Sequence, residues 1–332
     1  MIYCPLYDIK EQIMWQSSKR KRANEIFERY KGNPILTPKI WPYPARAVIN
    51  PGAILLGEET ILFVRVENMN GICHLTVARS TDGLTNWEID PTPSMEADQN
   101  SQEEKLGLED PRIIWLEEQK QFGIAYLSIS KIGPAVSMII TKNFRTFARL
   151  GTLLPPESKD ASFFPHRIKG RFVLIYHRIV AGEANMWITF SADLKHWGDH
   201  RLLLGTRSTS WDRDSVGLGP QPIETSEGWI ILYYGVCNTT GGATYRVGAA
   251  LLDFEEPWRV IRRSDEWLLE PRELYECIGD VGNVVFPTGV TVNKKTNQVN
   301  LYYGAADRCI GVATADLGDL LKFLLSCPEP RE

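Results

Sequence analysis

No two cysteines in this chain are spaced as CxxC, and no histidine stands at metal-ligand spacing from one. The six cysteines, Cys4, Cys73, Cys237, Cys277, Cys309 and Cys327, are scattered along the sequence. That spread excludes a zinc or dithiol motif of the usual spacing. They read as reduced thiols, mostly buried fillers, in a cytoplasmic protein. No apolar run approaches the roughly 20 residues a membrane helix needs, and the N-terminus has no secretory-type apolar leader. Positive charge is not in excess either. Lys and Arg number 37 against 41 Asp and Glu, a formal net charge of −4, so nucleic acid is not an expected partner. Neither a metal nor a cofactor is expected, and the membrane is not an expected partner.

What is present is enough for a large core in one or two domains: 332 residues, 43% hydrophobic and 23% charged. Ten Trp and twelve Tyr are many; aromatics fill cores, and sugar-binding enzymes also use them as flat platforms. From about Asp8 to Tyr30 the chain is polar and helix-prone, with Ile13, Met14, Ala23, Ile26 and Phe27 as an apolar stripe. Residues 1–32 are therefore expected to form an N-terminal helical extension. Its basic cluster Lys19-Arg-Lys-Arg22 reads as a solvated face. The helix is the expected contact surface if the chain forms a homo-oligomer.

After Pro34 the texture changes to strand-like runs bounded by Gly, Pro, Asn and Asp. One unit recurs: two apolar strands, then a Ser/Thr-x-Asp type turn with an aromatic or Leu close behind. The first copy runs through Ile61-Leu-Phe-Val-Arg-Val66 and Cys73-His-Leu-Thr-Val-Ala-Arg79 to Ser80-Thr-Asp-Gly83. The second holds Gly123–Leu127, Ala135–Ile140 and Thr141–Phe144. The third holds Phe172–Tyr176, Met186–Phe190 and Ser191–Leu194. The fourth holds Trp229–Tyr234, Tyr245–Ala250 and Leu252-Asp253. The fifth holds Val299–Tyr303, Ile310–Ala313 and Thr314–Leu317. Five copies at roughly 50 to 60 residues predict an all-β, five-bladed β-propeller over residues 33–332. A short helix is expected to close the chain at Leu317–Leu325.

A propeller's site lies where its inner strands converge, so polar residues near strand starts are the candidates. They are Asn50, Arg65 and Glu67 in the first unit, and Glu109, Asp110 and Arg112 in the second. The third offers Lys159, Asp160, His166, Arg167 and Arg178. The fourth offers Asp212, Asp214, Ser215 and Tyr234, and the fifth Asp280, Asn283 and Asp307. Charged residues inside apolar strands need partners or a wet cavity. The centre of attention is Gly107-Leu-Glu-Asp-Pro-Arg112. Pro111 removes a backbone donor and keeps Asp110 off helical angles, which places its carboxylate on a stiff turn before a strand. The plainer reading of such a residue is a turn cap.

Several stretches together resemble glycoside hydrolase family 130, the β-mannoside phosphorylases and their hydrolytic relatives. They are Asn33-Pro-Ile-Leu-Thr37, Trp41-Pro-Tyr-Pro44, Asn50-Pro-Gly-Ala53, Leu108-Glu-Asp-Pro-Arg112 and Lys159-Asp-Ala161 with Phe164-Pro165. The match continues through Gly217-Leu-Gly-Pro220, Tyr245–Asp253, Gly279–Pro287 and Tyr302-Tyr-Gly-Ala-Ala-Asp307. The resemblance implies a five-bladed propeller that cleaves or forms β-mannosidic bonds with inversion. It assigns the catalytic acid to Asp110, which protonates the glycosidic oxygen through a hydroxyl of the mannose. A raised pKa would suit that acid.

Inversion by hydrolysis needs a second carboxylate roughly 6.5–9.5 Å away, whereas a phosphorylase needs a cationic pocket for phosphate. The resemblance implies Lys159 and Arg178 for phosphate, with Asn50, Arg65, Glu109, Arg112, Asp160, Tyr234, Asn283 and Asp307 around the sugar. Two departures bear on the choice. Where many phosphorylases carry Lys-Ile-Gly-x-Gly, this chain has Ser215-Val-Gly-Leu-Gly219. Where many carry Tyr-His-Gly-Val, it has Tyr233-Tyr-Gly-Val236. Asp212 and Asp214 lie just upstream as candidate bases. The expected activity is phosphorolysis of β-mannobiose or β-mannooligosaccharides, with inorganic phosphate as co-substrate. The alternatives are inverting β-mannoside hydrolysis and a non-catalytic sugar-binding propeller.

Overall fold

In the computed structural model, which describes residues 26–330, the recurring sequence unit is the middle strand pair of an antiparallel sheet. The described chain begins with the short strand β1 (Glu28–Arg29). Unit one follows as β2 (Ala47–Leu56), β3 (Glu59–Glu67), β4 (Cys73–Ser80) and β5 (Glu88–Ile89). Unit two is β6 (Gly107–Leu116), β7 (Gln121–Ser130), β8 (Gly133–Thr141) and β9 (Ala148–Leu154). Unit three is β10 (Ser158–Phe163), β11 (Phe172–Val180), β12 (Glu183–Ser191) and β13 (Trp197–Leu204). Unit four is β14 (Ser215–Leu218), β15 (Ile223–Thr225), β16 (Gly228–Thr239), β17 (Gly242–Leu252) and β18 (Val260–Arg263), with β14 and β15 both pairing β16. Unit five is β19 (Val285–Asn293), β20 (Gln298–Ala305) and β21 (Cys309–Asp316), and β1 adds its outer strand. The helix Leu317–Ser326 follows, as expected.

The recurring Ser/Thr-x-Asp signature has a common physical role. Asp82 Oδ1 accepts from the backbone N–H groups of Leu84 and Thr85. Asn143 does the same for Arg145 and Thr146, and Asp193 for Lys195 and His196. Asp253 repeats it for Glu255 and Glu256. Each side chain supplies the acceptor that turns the chain after the third strand. In unit five the equivalent Asp316 accepts from the Asp319 N–H and caps the helix instead.

The strands are apolar on both faces because each sheet is covered on both faces. On β3, Ile61 and Phe63 pack toward unit two, while Leu62, Val64 and Val66 pack toward unit five. Two more clusters fill the junctions of units two with three and three with four. A fifth joins units four and five and takes in Leu320 and Leu324 of the final helix. The first strands also touch in turn: β2 on β6, β6 on β10, β10 on β14, and β19 back on β2. This two-sided burial explains why the sequence reads as near-continuous hydrophobic runs rather than strict alternation.

The expected N-terminal helix falls mostly on residues 1–25, outside the described residues. Its described end departs from expectation. Glu28 and Arg29 pair as a strand with Thr314 and Ala313, Phe27 is buried between units four and five, and Arg29 Nε lies 2.8 Å from the buried Glu276. Edge pairing, apolar burial and that ion pair outweigh the helix propensity of the local sequence.

Candidate active site

The first strands of units one, two and three share one irregularity. Register slips between Ile49 and Gly52 in β2, between Glu109 and Arg112 in β6, and between Lys159 and Ser162 in β10. Each slip carries an Asn or Asp with left-handed backbone: Asn50 at φ 47°, Asp110 at φ 49° and Asp160 at φ 50°. These residue types tolerate that region because their short side chains bond locally. A bulge bends the strand and re-aims a side chain. Asp110 therefore lies inside a strand, at a bulge, rather than on a turn before one. Pro111 occupies the break in the ladder, where no N–H is needed.

The bulges bring their side chains together. Asn50 Nδ2 donates to Asp110 Oδ1 at 2.9 Å. Asn50 itself fits only because residue 304 is glycine; a Cβ there would collide with Asn50 Oδ1. Arg65 continues the face of β3 that Ile61 and Phe63 begin, and so points at unit two. Its Nη1 lies 3.0 Å from Asp110 Oδ1 and its Nη2 2.9 Å from Glu109 Oε1. Its Nε donates to Cys73 Sγ at 3.3 Å. Arg112, fully buried, donates from Nε to the Gly219 carbonyl at 2.7 Å and from Nη1 to the Asp110 carbonyl at 2.6 Å. Its Nη2 stands 3.6 Å from Asp160 Oδ1.

These neighbours set the charge of the cluster. Burial pushes the Asp110 carboxyl up, but Arg65, Arg112 and the Asn50 hydrogen bond outweigh it and hold the group below the ordinary carboxylate range. Burial pushes Glu109 up, and against the pull of Arg65 the adjacent Asp110 adds to the rise. Burial likewise raises Asp307, with Asp110 reinforcing it against Arg65. The raised acid expected at Asp110 is thus found at its neighbours instead.

Of the residues singled out in the sequence, Asn50, Arg65, Glu109, Asp110, Lys159, Asp160, Tyr234 and Asp307 line one cavity of about 410 Å³. That size suits a small oligosaccharide. Ser215, at the motif departure, lines it too. Tyr234 donates to Asp160 Oδ2 at 2.7 Å, and its ring lies 4.7 Å from Phe286 and 5.9 Å from Tyr245. Gly217 opposite leaves room for it, since a Cβ there would meet the tyrosine hydroxyl.

Other candidates are placed elsewhere. Arg112 supports the bulges from below and does not line the cavity. Asp212 is fully buried in an ionic cluster: Arg207 grips both of its oxygens, at 2.9 and 2.8 Å, and Arg263 and Tyr233 bond Oδ2 at 2.8 and 3.0 Å. Asp214 accepts from the Asn238 N–H at 2.6 Å and lies 3.5 Å from Arg213 Nε, off the cavity. Asn283 is not among the lining residues; its carbonyl accepts from the Tyr245 N–H at 3.0 Å. Arg178 shares a strand face with Tyr176 and sits by that hydroxyl, away from the lining. Tyr245, Phe286, Leu127, Ile129, Pro134, Val281 and Val284 complete the walls and were not singled out. Tyr245, Val281, Val284 and Phe286 stand inside the motif stretches quoted above; Leu127, Ile129 and Pro134 carry no sequence signal that separates them from core.

The sequence profile of glycoside hydrolase family 130, described as beta-1,4-mannooligosaccharide phosphorylase, matches residues 17–326. The chain is 32% identical over 324 residues to a beta-1,4-mannooligosaccharide phosphorylase of Ruminococcus albus, covering 95% of each. It is 34% identical over 308 residues to a 1,2-beta-oligomannan phosphorylase of Thermoanaerobacter sp. strain X514, covering 88% of this chain and 98% of that one. Among solved structures, the beta-1,2-mannobiose phosphorylase from Listeria innocua in complex with beta-1,2-mannobiose superposes with a TM-score of 0.82 at 27% identity. The match covers 90% of this chain and 99% of that chain.

Proposed function

Because the chain belongs to glycoside hydrolase family 130, we propose that it is an inverting β-mannoside phosphorylase built as a five-bladed β-propeller. Its substrates are β-mannobiose or β-mannooligosaccharides and inorganic phosphate, and its product mannose 1-phosphate, formed reversibly. An apolar cluster at every junction, including the one between units five and one, supports the closed ring.

Asp110 is the proton donor. Arg65 and Arg112 favour its charged form. A seated sugar excludes water and deepens burial, which raises this carboxyl, so a larger share of it carries the proton to be donated as substrate binds. Asn50 and Arg65 hold its Oδ1 in place. Lys159 and Arg65 are the cavity cations that face phosphate, and Asp160, Asp307 and Tyr234 bond sugar hydroxyls. Arg178, beside the Tyr176 hydroxyl, is not one of the cavity cations.

The observation that carries the choice of phosphorolysis is what shares the cavity with Asp110. Lys159 does; Asp212 and Asp214, the candidate bases, do not. Of the remaining carboxylates, Glu109 is paired with Arg65 and Asp160 is engaged by Tyr234 and Arg112, which leaves Asp307, raised by burial, as the cavity carboxylate a hydrolytic reading would have to use. Hydrolysis is the second reading, favoured by Ser215 and Tyr234 at positions where many phosphorylases carry Lys and His. A product assay on β-1,2- and β-1,4-mannobiose, with and without phosphate, separates the two. Mannose 1-phosphate formed only with phosphate is expected. Free mannose at the same rate without phosphate overturns the proposal.

A further inference from the structure

Behind the cavity wall at Ser215 lies a histidine that the reaction as derived does not use. His177 is 1% exposed. It extends the face of β11 that Val173 and Ile175 turn toward unit four. Its Nε2 is 3.4 Å from Ser215 Oγ, while Nδ1 is buried with no partner. Ser215 opens β14 and lines the cavity. The charged and titratable groups around the ring are Lys159, its strand partner, Asp160, and Tyr234, whose ring centroid is 6.4 Å away.

Burial pushes the imidazole down to about 4, with Asp160 opposing and Lys159 assisting. The ring is therefore neutral near pH 7 and carries one N–H. On Nδ1 that N–H would be an orphaned buried donor, the rarer and costlier kind of unmet group. On Nε2 it faces Ser215 Oγ and leaves only a bare lone pair on Nδ1. We propose that His177 is a positioning residue, donating from Nε2 to Ser215 Oγ and so turning the serine's own proton into the cavity as a hydrogen-bond donor to phosphate. The inference rests on the phosphorolysis reading. A fixed neutral donor then stands at the motif position where many phosphorylases place a lysine.

The test is steady-state kinetics of the full chain with phosphate varied at saturating β-mannoside. His177→Phe keeps the volume and removes the donor; it should raise the KM for phosphate about tenfold, the worth of a hydrogen bond to a charged ligand. The kcat and the KM for mannoside should stay within about threefold, since no group touching the sugar has changed. Ser215→Ala should match it, and the double variant should add little. His177→Gln, whose amide reaches the place of Nε2, should restore most of the loss. In the 15N-labelled wild-type chain, His177 should show the Nε2–H tautomer. An Nδ1–H tautomer overturns the proposal, as does an unchanged phosphate KM in a folded His177→Phe or Ser215→Ala variant. A fall in kcat at saturating phosphate also overturns it, marking His177 as a proton relay. The phosphorolysis reading fails on a different result: wild-type turnover that ignores phosphate.

Discussion

Asp110 and Asp212 are both buried aspartates among arginines, and the sequence offered each as an acid or base. Asp212 has both oxygens filled, by two arginines and a tyrosine. Asp110 takes the Asn50 and Arg65 donors on Oδ1 alone, and among the described residues nothing donates to Oδ2. Asp110 is 8% exposed and faces the cavity; Asp212 is 0% exposed and faces the junction of units three and four. Both are paired charges. The difference is saturation: a carboxylate with no spare acceptor holds a fold together, and one with a spare oxygen at a cavity can meet a ligand.

The comparison breaks most visibly at Asp110. Asp110→Asn should lower kcat on β-mannosides by about 10²–10⁴, the usual worth of a positioned general acid, with Tm nearly unchanged. Equal turnover in that variant would end the assignment. Asp212→Asn should do the converse. Removing one partner of a buried ionic cluster costs about 3–5 kcal/mol, so denaturant unfolding should shift strongly while kcat per folded molecule holds. A normal denaturation midpoint with lost activity would reverse the two roles. Asp214→Asn, off the cavity, should alter neither.

A small effect on stability is expected at Asp307, which borders the same cavity. Its folded pKa is raised, chiefly by burial. A carboxyl raised on folding contributes its stability below its unfolded pKa and loses it as pH rises through the folded one. Asp307→Asn cannot ionise, so it should raise Tm slightly at pH 7 and leave it unchanged near pH 3. A lower Tm at pH 7 would mean that the Asp307 charge is needed by Arg65.

The strands and their turns were legible because two-sided burial writes long apolar runs and the turn needs an Asp or Asn acceptor. The pairing of Glu28 and Arg29 with β21 was not, since a two-residue edge strand has no period of its own. Within the site, residue type was readable but direction was not. Arg65 reaches the cavity and Arg112 lies beneath it; both are arginines in apolar strands, and the bulge at Asp110 sets which way Arg112 turns. Arg178 and His177 differ by one residue, hence by one sheet face. Three Asn or Asp residues inside first strands, Asn50, Asp110 and Asp160, were the available sign of the bulges, because a strand interior disfavours them unless the backbone leaves the ladder.

Pairing of Glu28 and Arg29 with β21 also dictates an order of events during synthesis. The edge of unit five is made from the first described residues, yet its partner strand is the last of the described strands to emerge. Units one to four can pack as they emerge, while Phe27 and Arg29 wait for Ala313, Thr314 and Glu276 to appear. The nascent chain therefore keeps that sheet unfinished until β21 has emerged, and a truncated product missing β21 would expose an unpaired edge.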